Sequence, residues 1–339
     1  MAAERLVKHR PLLRAAAPGG KISPNLAGKV AAALALAAQS AFADSNTTLA
    51  HEYLDKAADV YNHADLEHTG DLFTVYPKTY YPEKSWADDL EFAATEMAVA
   101  AQQLGDSRAG EWKGSAAGWA RAYLDSTDKM PLGIGDVSAL AHYDLLTLLN
   151  GSSLNGVSPA NLTDDLRRQL DQGVTRANAD PFRAGSVYTD FDAVPTTFGL
   201  IATARLYSRA TGDHSYDVFA TQQRGWVLGA NSWGTSFVIG AGQVFPHCPV
   251  HAVANLSGSL TGTGIILRGA GVNGPNSVAK PAQAFALLPS ADQRRRSPRP
   301  GSGPGDRPSF PTCGRAPRGV ATALPDCFMC PRCPGVRPT

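Results

Sequence analysis

Apolar residues recur every three to four positions over much of the first 230 residues, and this spacing constrains the fold more than any other feature. Such a period places apolar side chains on one face of a helix. Four segments show it most clearly: Leu26/Val30/Leu34/Ala37/Ala41, Ala50/Leu54/Ala57/Ala58/Tyr61, Leu90/Ala93/Ala94/Met97/Ala101/Leu104 and Val194/Phe198/Ile201/Ala202/Leu206. No alternating run demands a sheet core, so the sequence predicts an all-α fold.

Further helices are predicted near residues 107–126, 136–150, 162–176 and 214–230. Three long loops interrupt the helices, at residues 64–86, 177–192 and 231–276. The first two are rich in aromatic and acidic residues, and the third is rich in glycine and asparagine. Long loops inside a compact domain are usually functional, so we expect the site there.

Composition bounds the class of partner. The chain has 339 residues, is 43% hydrophobic and carries a net charge of +1. This charge gives no electrostatic reason to expect nucleic acid or an anionic membrane as a partner. No apolar run approaches the roughly 18–20 residues that a membrane helix needs, so we expect no membrane span.

The stretch KVAAALALAAQSAFADS at residues 29–45 has two interpretations. A basic residue, an apolar run and Ala41-Phe42-Ala43 together fit a secretory signal with its cleavage site. A signal has its basic region at the extreme N-terminus, however, and this run begins near residue 30. Its apolar residues are mostly alanine, with leucines at helical spacing. We therefore favour a core helix and see no credible signal peptide.

The chain falls into unlike parts. Residues 291–339 contain ten prolines and nine arginines against three acidic residues, a composition that cannot offset the entropy of ordering. We predict a globular region at residues 22–276, a disordered segment at residues 1–21 and a disordered or aberrant tail at residues 277–339.

Cysteine usage is equally uneven along the chain. The body of the protein has a lone Cys248, and four cysteines crowd the end: Cys313, Cys327, Cys330 and Cys333. Structural zinc sites favour two separated pairs joined by a folded spacer. Because this spacing is irregular, we favour an aberrant end over a zinc site and predict no metal and no cofactor.

Several stretches together resemble glycoside hydrolase family 9, the cellulases built on an (α/α)6 barrel. They are Asn25–Ala33, Tyr80–Ala94 (YYPEKSWADDLEFAA), Asp136–His142, Trp226–Gly240 (WVLGANSWGTSFVIG), Phe245–His251 and Gly274–Asn276. The resemblance runs from about residue 22 to residue 276. It implies an internal barrel helix at residues 25–33, which also argues against a signal peptide.

The resemblance implies inverting hydrolysis of internal β-1,4-glucosidic bonds of cellulose. That reaction needs two carboxyl groups, one as base on a water and one as acid on the leaving oxygen. The family takes its base from an Asp-Ala-Gly-Asp motif and its acid from a glutamate near the C-terminus. Here that motif occurs nowhere, and Glu111 is the last glutamate. We expect that no catalytic residue is retained and that activity is lost or impaired.

Asp88 is the substrate contact that the resemblance implies most directly, because the family has a cleft-facing acidic residue at the matching point. A carboxylate there can accept hydrogen bonds from sugar hydroxyls. The alternative is that Asp88 or Asp89 merely caps a helix, since aspartate is favoured at that position. Both interpretations stay open.

Two histidines, His247 and His251, lie where the family places a cleft histidine. Many members have an arginine two positions beyond it, where this chain has Val253. This departure weakens the assignment and leaves the choice between the histidines open. The alternative for each is a structural role.

Aromatic side chains of the loops could stack on glucose rings, and the candidates are Trp86, Tyr80, Tyr81 and Trp233. Ordinary packing is the alternative, and we favour it for Trp233. Trp112 and Trp119 have helical spacing typical of core residues. Asp190 and Asp192 precede a predicted helix and are interpreted as turn or capping residues rather than substitute acids.

The expected fold is an incomplete (α/α)6 barrel, a six-hairpin toroid with about eight helices where the family has twelve. An open arc exposes helix faces meant to be buried, so we expect marginal stability or self-association. The expected partner is a β-1,4-glucan chain, and the location implied by the resemblance is extracellular. A non-catalytic glucan-binding protein and a plain helical scaffold remain as alternatives.

Overall fold

The structure is a computed structural model that describes residues 16–70, 72–75, 81–188, 192–246 and 267–275. The helices of this part are α1 (Pro24–Ala43), α2 (Thr47–Asn62), α3 (Ala87–Leu104), α4 (Ala109–Asp125), α5 (Ser138–Leu149), α6 (Pro159–Ala179), α7 (Ala193–Thr211) and α8 (Asp217–Val227). Among the described residues, β-pairing is limited to three isolated bridges. The predicted all-α fold is confirmed.

Successive helices alternate between an inner and an outer position. The inner helices α1, α3, α5 and α7 contact one another in chain order, and α2, α4, α6 and α8 pack against them from outside. Each inner helix and the outer helix after it form a hairpin with a short turn, as expected of antiparallel neighbours. The described residues thus form an arc of four helical hairpins.

The buried face of α1 differs from the predicted one. Its core side chains are Ala27, Ala31, Ala35 and Ala38, whereas Val30 is 40% exposed. The reason is the close approach of α1 to α3, where a Cβ atom added to Gly28 would lie 2.5 Å from the carbonyl carbon of Asp89. Only small residues fit at this separation, so Val30 and Leu36 lie on the exposed side of α1, while Leu34 packs at the edge of the core.

The predicted face of α7 is also wrong in part. Phe198 is 43% exposed, whereas Thr197 and Thr203 are buried. A Cβ atom on Gly199 would lie 1.8 Å from the carbonyl oxygen of Leu132, which lies in the loop between α4 and α5. The face of α7 that carries Gly199 must therefore pack against this loop. The buried threonine hydroxyls donate to carbonyl oxygens one turn earlier, at 2.8 and 2.9 Å, which satisfies them inside the core.

The helix α1 corrects a second expectation, that no apolar run is long enough for a bilayer. Its 20 residues are long and apolar enough to cross a membrane, judged by length and composition alone. In the structure α1 packs against both α2 and α3, and its alanine face is buried. This is the core helix predicted for the stretch at residues 29–45.

The predicted domain limits lie partly outside the described residues. Ile22 joins the fold through backbone bonds with His63 and Asp65, of 2.8 and 2.7 Å. The start of the globular region near residue 22 stays a prediction. Residues 1–15 and the tail at residues 277–339 lie outside the described part, as do Cys248 and the four tail cysteines. The disorder and the absence of zinc therefore stay predictions.

Candidate functional site

The two ends of the hairpins differ in their connections. Turns of three to nine residues lead from each inner helix to the next outer helix. Loops at residues 63–86, 126–137 and 180–192 lead from each outer helix to the N-terminus of the next inner helix. We call this side the long-loop end and the opposite side the short-turn end. Three buried carboxyl groups, Asp88, Asp89 and Asp136, lie at the long-loop end.

Asp88 joins the N-termini of two inner helices at this end. Its Oδ2 accepts the backbone amide hydrogen of Val137 at 2.8 Å, and its Oδ1 accepts the Ser85 hydroxyl. The side chain is fully buried, and burial raises the pKa of Asp88 above its ordinary value. Asp88 therefore ties the loop that leads into α3 to the start of α5.

The structure separates the two interpretations of Asp88 and Asp89 only in part. Trp86 occupies the N-cap position of α3, so both aspartates lie in the first turn rather than at the cap. Acidic residues there interact favourably with the helix dipole. Because both oxygens of Asp88 are engaged below the surface, a contact with substrate would need the loop to move. The role of Asp88 in binding stays a prediction.

Lys29 links α1 to the same region through two carboxylates. Its Nζ lies 2.6 Å from Oε2 of Glu83 and 2.7 Å from Oδ1 of Asp89. Burial opposes the ammonium charge, but these two carboxylates outweigh it and raise the pKa of Lys29. Glu83 also accepts the hydroxyl of Thr74 at 2.6 Å. The ion pairs thus hold the 63–86 loop against α1 and α3.

Asp136 organises the loop that precedes α5. Its Oδ1 accepts the amide and hydroxyl of Ser138, at 3.0 and 2.6 Å. Its Oδ2 accepts the Tyr123 hydroxyl at 2.8 Å and the Met130 amide at 3.1 Å. Burial and the nearby carboxyl of Asp88 raise the pKa of Asp136 to about 7, although the donors favour its charged form.

A buried ionisable cluster behind these loops was missed by the sequence analysis. His142 of α5 lies between Glu91 of α3, with 2.7 Å from Nδ1 to Oε1, and Asp165 of α6, with 3.7 Å from Nε2 to Oδ2. All three are buried. The sequence holds one indication of the position of Glu91. It lies three positions after Asp88 on an alanine-rich helix, so the two acidic side chains share a face.

The aromatic candidates pack rather than stand free. Trp86 meets Trp119 edge to face, with ring centroids 5.4 Å apart. Trp233 meets Tyr188 and Phe237 at 5.8 and 5.7 Å, also edge to face. The packing that we favoured for Trp233 is therefore present, yet Trp86 and Trp233 both remain partly exposed.

The remaining candidates lie at or near the same end. Tyr81 is 37% exposed in the 63–86 loop. Asp192 occupies the N-cap position of α7 with a φ of 71°, a left-handed conformation, and its side chain makes no cap hydrogen bond. Four predicted residues lie outside the described part: Tyr80, Asp190, His247 and His251. Their roles stay predictions.

The carboxyl groups described at the long-loop end make contacts within the protein. Glycoside hydrolysis needs two carboxyl groups that reach the scissile bond, roughly 5 Å apart for retention or roughly 6.5–9.5 Å for inversion. At the long-loop end Asp88, Asp89 and Asp136 are buried and engaged with protein groups. Over the part of the chain that the structure describes, no group of three histidine, cysteine or acidic residues could hold a metal ion.

The sequence matches the family model of glycosyl hydrolase family 9 over residues 1–297. This match covers most of the chain and extends beyond the predicted region of residues 22–276. The chain belongs to glycosyl hydrolase family 9. No curated protein matches it in sequence.

Solved structures of the same family share the fold. The family 9 endoglucanase J30 aligns with a TM-score of 0.58 at 19% identity, over 75% of this chain and 45% of J30. AaCel9A in complex with cellobiose-like isofagomine aligns with a TM-score of 0.60 at 20% identity, over 80% and 50%. The catalytic domain of Clostridium thermocellum CelT gives 0.57 at 19%, over 75% and 54%.

This chain therefore spans about half the length of the structures that it matches. The fold likeness identifies the arc of hairpins as part of an (α/α)6 barrel, as the sequence predicted.

Proposed function

We propose that this chain binds a β-1,4-glucan at its long-loop end and hydrolyses it weakly or not at all. Membership of glycosyl hydrolase family 9 supports the glycan class, and a homologous structure holds cellobiose-like isofagomine. The observation that carries the second half is the state of the carboxyl groups. Asp88, Asp89 and Asp136 are buried at this end, and neither an Asp-Ala-Gly-Asp motif nor a glutamate after Glu111 occurs in the sequence.

Two assays separate the alternatives. Affinity electrophoresis of the purified chain in a gel that contains soluble β-glucan measures binding, and sugar release from carboxymethylcellulose measures hydrolysis. We expect retardation in the gel with little or no sugar release. Robust sugar release would show an active endoglucanase, and an unretarded band without sugar release would leave a helical scaffold with no glycan ligand.

A pair of matched variants locates the binding surface. Tyr81 at the long-loop end and Phe42 at the short-turn end are 37% and 36% exposed. Aromatic faces stack on the apolar faces of sugar rings, so Tyr81→Ser should weaken retardation in the gel, whereas Phe42→Ser should leave it unchanged. Equal losses in both variants would contradict binding at the long-loop end.

We also infer self-association, and the open flank of α1 favours it. Val30 and Leu36 are 40% and 43% exposed on this helix, and Ala33 between them is exposed as well. Among the described helices, α1 packs on α2 and on one inner helix, α3. A contiguous apolar stripe of this kind is typical of an interaction surface.

Sedimentation velocity tests this second proposal. Leu36→Lys should shift the chain from a larger species to the monomer, because a charge in the stripe opposes its burial. Val218→Lys is the matched control on the outer helix α8, where Val218 is 69% exposed. A wild-type chain that is monomeric at high concentration and melts cooperatively well above room temperature would refute the proposal. An extracellular location, implied by the family, remains part of the proposed function.

A further inference from the structure

The clearest feature without a role so far is His142, which lies fully buried among acidic side chains of three elements. Glu91 faces its Nδ1 from α3, and Asp165 faces its Nε2 from α6. The ring of Tyr123 from α4 meets the imidazole edge to face, with centroids 5.4 Å apart. Asp136, from the loop before α5, adds a further carboxyl group nearby.

Carboxylates on both sides favour the charged imidazole. A neutral imidazole donates from one nitrogen and presents a lone pair from the other, whereas the imidazolium donates from both. With Glu91 at one nitrogen and Asp165 at the other, only the imidazolium presents a hydrogen to each. The separation of 3.7 Å leaves Nε2 without a hydrogen bond within the described residues, so the interaction with Asp165 is electrostatic.

Asp165 connects this imidazole to the 126–137 loop. Its Oδ2 accepts Nε2–H of Gln169 at 3.0 Å, and the same amide nitrogen lies 3.0 Å from the Ser138 hydroxyl oxygen. The side-chain oxygen Oε1 of Gln169 accepts the backbone amide hydrogen of Leu132 at 3.0 Å. Leu132 in turn covers Gly199 of α7. A continuous path of buried contacts therefore runs from His142 to the loop at the long-loop end.

We propose that His142 is a buried pH sensor whose imidazolium, held between Glu91 and Asp165, keeps the 126–137 loop in place, and that loss of its proton loosens this loop. Arg168 also pairs with Asp165, at 2.7 Å, so Asp165 keeps one cation after His142 becomes neutral. Glu91 has no such second cation among its described ion pairs. Because Asp165 keeps its pair with Arg168, we expect the 126–137 loop to loosen rather than to unfold when His142 loses its proton.

The sign of the effect follows from the environment of the imidazole. Burial alone would lower the pKa of His142, but Glu91, Asp165 and Asp136 together raise it above the ordinary value of 6.5. A group whose pKa is raised on folding contributes stability below its unfolded pKa and loses it as pH rises through the folded pKa. The 126–137 loop should therefore be well ordered in weak acid and should open more readily as pH rises from 6.5 through the His142 pKa.

Imidazole NMR on the wild-type chain tests the sensor directly. The chain has eight histidines, and through-bond correlation of each imidazole with its own backbone assigns His142 in the isotope-labelled wild-type chain. We expect this imidazole to titrate above pH 6.5 with both nitrogens protonated in weak acid. A His142 that titrates at or below 6.5, or is neutral throughout, would overturn the proposal without need of a folded variant.

Amide hydrogen exchange tests the connection to the loop. After correction for intrinsic exchange, protection of the Leu132 amide in the wild type should fall as pH rises from about 6.5 to the His142 midpoint, by up to about tenfold per pH unit, and should level off above that midpoint. His142→Gln should lessen this dependence, whereas exposed His51→Gln should preserve it. If Leu132 in His142→Gln loses protection with pH as steeply as in the wild type, the connection is refuted.

Discussion

At the short-turn end of the hairpins, connections of three to nine residues join the helices, and at the long-loop end the connections have 12 to 24 residues. The short turns use local devices: Gly105 and Gly212 take positive φ angles at helix C-caps, and Ser158 with Asn161 forms a capping box. At the long-loop end the N-cap residues Trp86 and Val137 make no side-chain cap bond.

The long-loop end is stabilised instead by distant partners. Lys29 reaches Asp89 across 60 positions, and Asp88 reaches Val137 across 49. Local caps fix a turn whatever surrounds it, whereas a buried ion-pair network depends on several elements at once. The fold therefore separates an end that is fixed by local caps from an end that is held by contacts between distant residues.

The largest expected effect comes from a substitution that disrupts the contact between α7 and the 126–137 loop. Gly199→Ala places a Cβ atom 1.8 Å from the carbonyl oxygen of Leu132, and backbone must shift to relieve the overlap. We expect a loss of about 3 kcal/mol in the free energy of unfolding, at the upper end for overpacking. Urea denaturation measures it.

The control for this change is Gly118→Ala, in the exposed face of α4, where an added Cβ meets nothing within 4 Å. Alanine favours the helix over glycine, so this variant should gain up to about 1 kcal/mol. Equal behaviour of the two variants would contradict the close contact between α7 and the 126–137 loop.

The second expected effect concerns a pair of buried carboxyl groups that lies deeper between the inner helices. Glu96 of α3 shares a side-chain hydrogen bond with Asp144 of α5 and accepts the Gln39 amide at 2.6 Å. Burial and the neighbouring carboxyl raise the pKa of Glu96 to about 8. Since the folded state holds the extra proton, stability should fall as pH rises from about 5 to 8, by roughly 1 kcal/mol per pH unit.

Glu96→Gln should remove this part of the pH dependence, because glutamine donates to Asp144 without a titrating proton. Thermal unfolding at a series of pH values measures the slope. Glu111→Gln, an exposed change in α4, should keep the wild-type slope. An unchanged slope in Glu96→Gln would show that the pair carries no shared proton.

The smallest effect concerns the short-turn end. Ser158→Ala removes the hydroxyl that caps the Asn161 amide at 3.3 Å, and the typical loss for an N-cap is about 1 kcal/mol. This variant should leave β-glucan binding unchanged, because it acts far from the long loops. Weaker retardation of a fully folded Ser158→Ala variant in the β-glucan gel would contradict the separation of the two ends.

The sequence predicted the features that depend on local period and composition. The eight helices of the described residues lie at or near the predicted segments, including α1, whose stretch also fits a signal by its composition. The faces of α1 and α7 were assigned wrongly in part, because Gly28 and Gly199 set close contacts that period alone does not show. Small residues compete with leucine and phenylalanine for the core only once the neighbouring backbone is known.

The candidate site was less predictable for a related reason. Asp88 and Trp233 were found through family resemblance, but their packing could not be read from spacing. The cluster of His142, Glu91 and Asp165 joins residues 23 to 74 positions apart, and nothing in the sequence shows that they meet. Their identity as a unit depends on the register between inner helices and α6.

The most direct test of the central claim is a titration of the 15N-labelled chain with cellohexaose, followed by backbone chemical shifts. We expect backbone chemical shifts to change at the long-loop end, around Tyr81 and Trp233. We expect no change at Gly105, Asn150 or Gly212 of the short-turn end. Perturbations confined to the short-turn end, or none at saturating sugar, would contradict the assignment of the long-loop end as a glucan-binding surface.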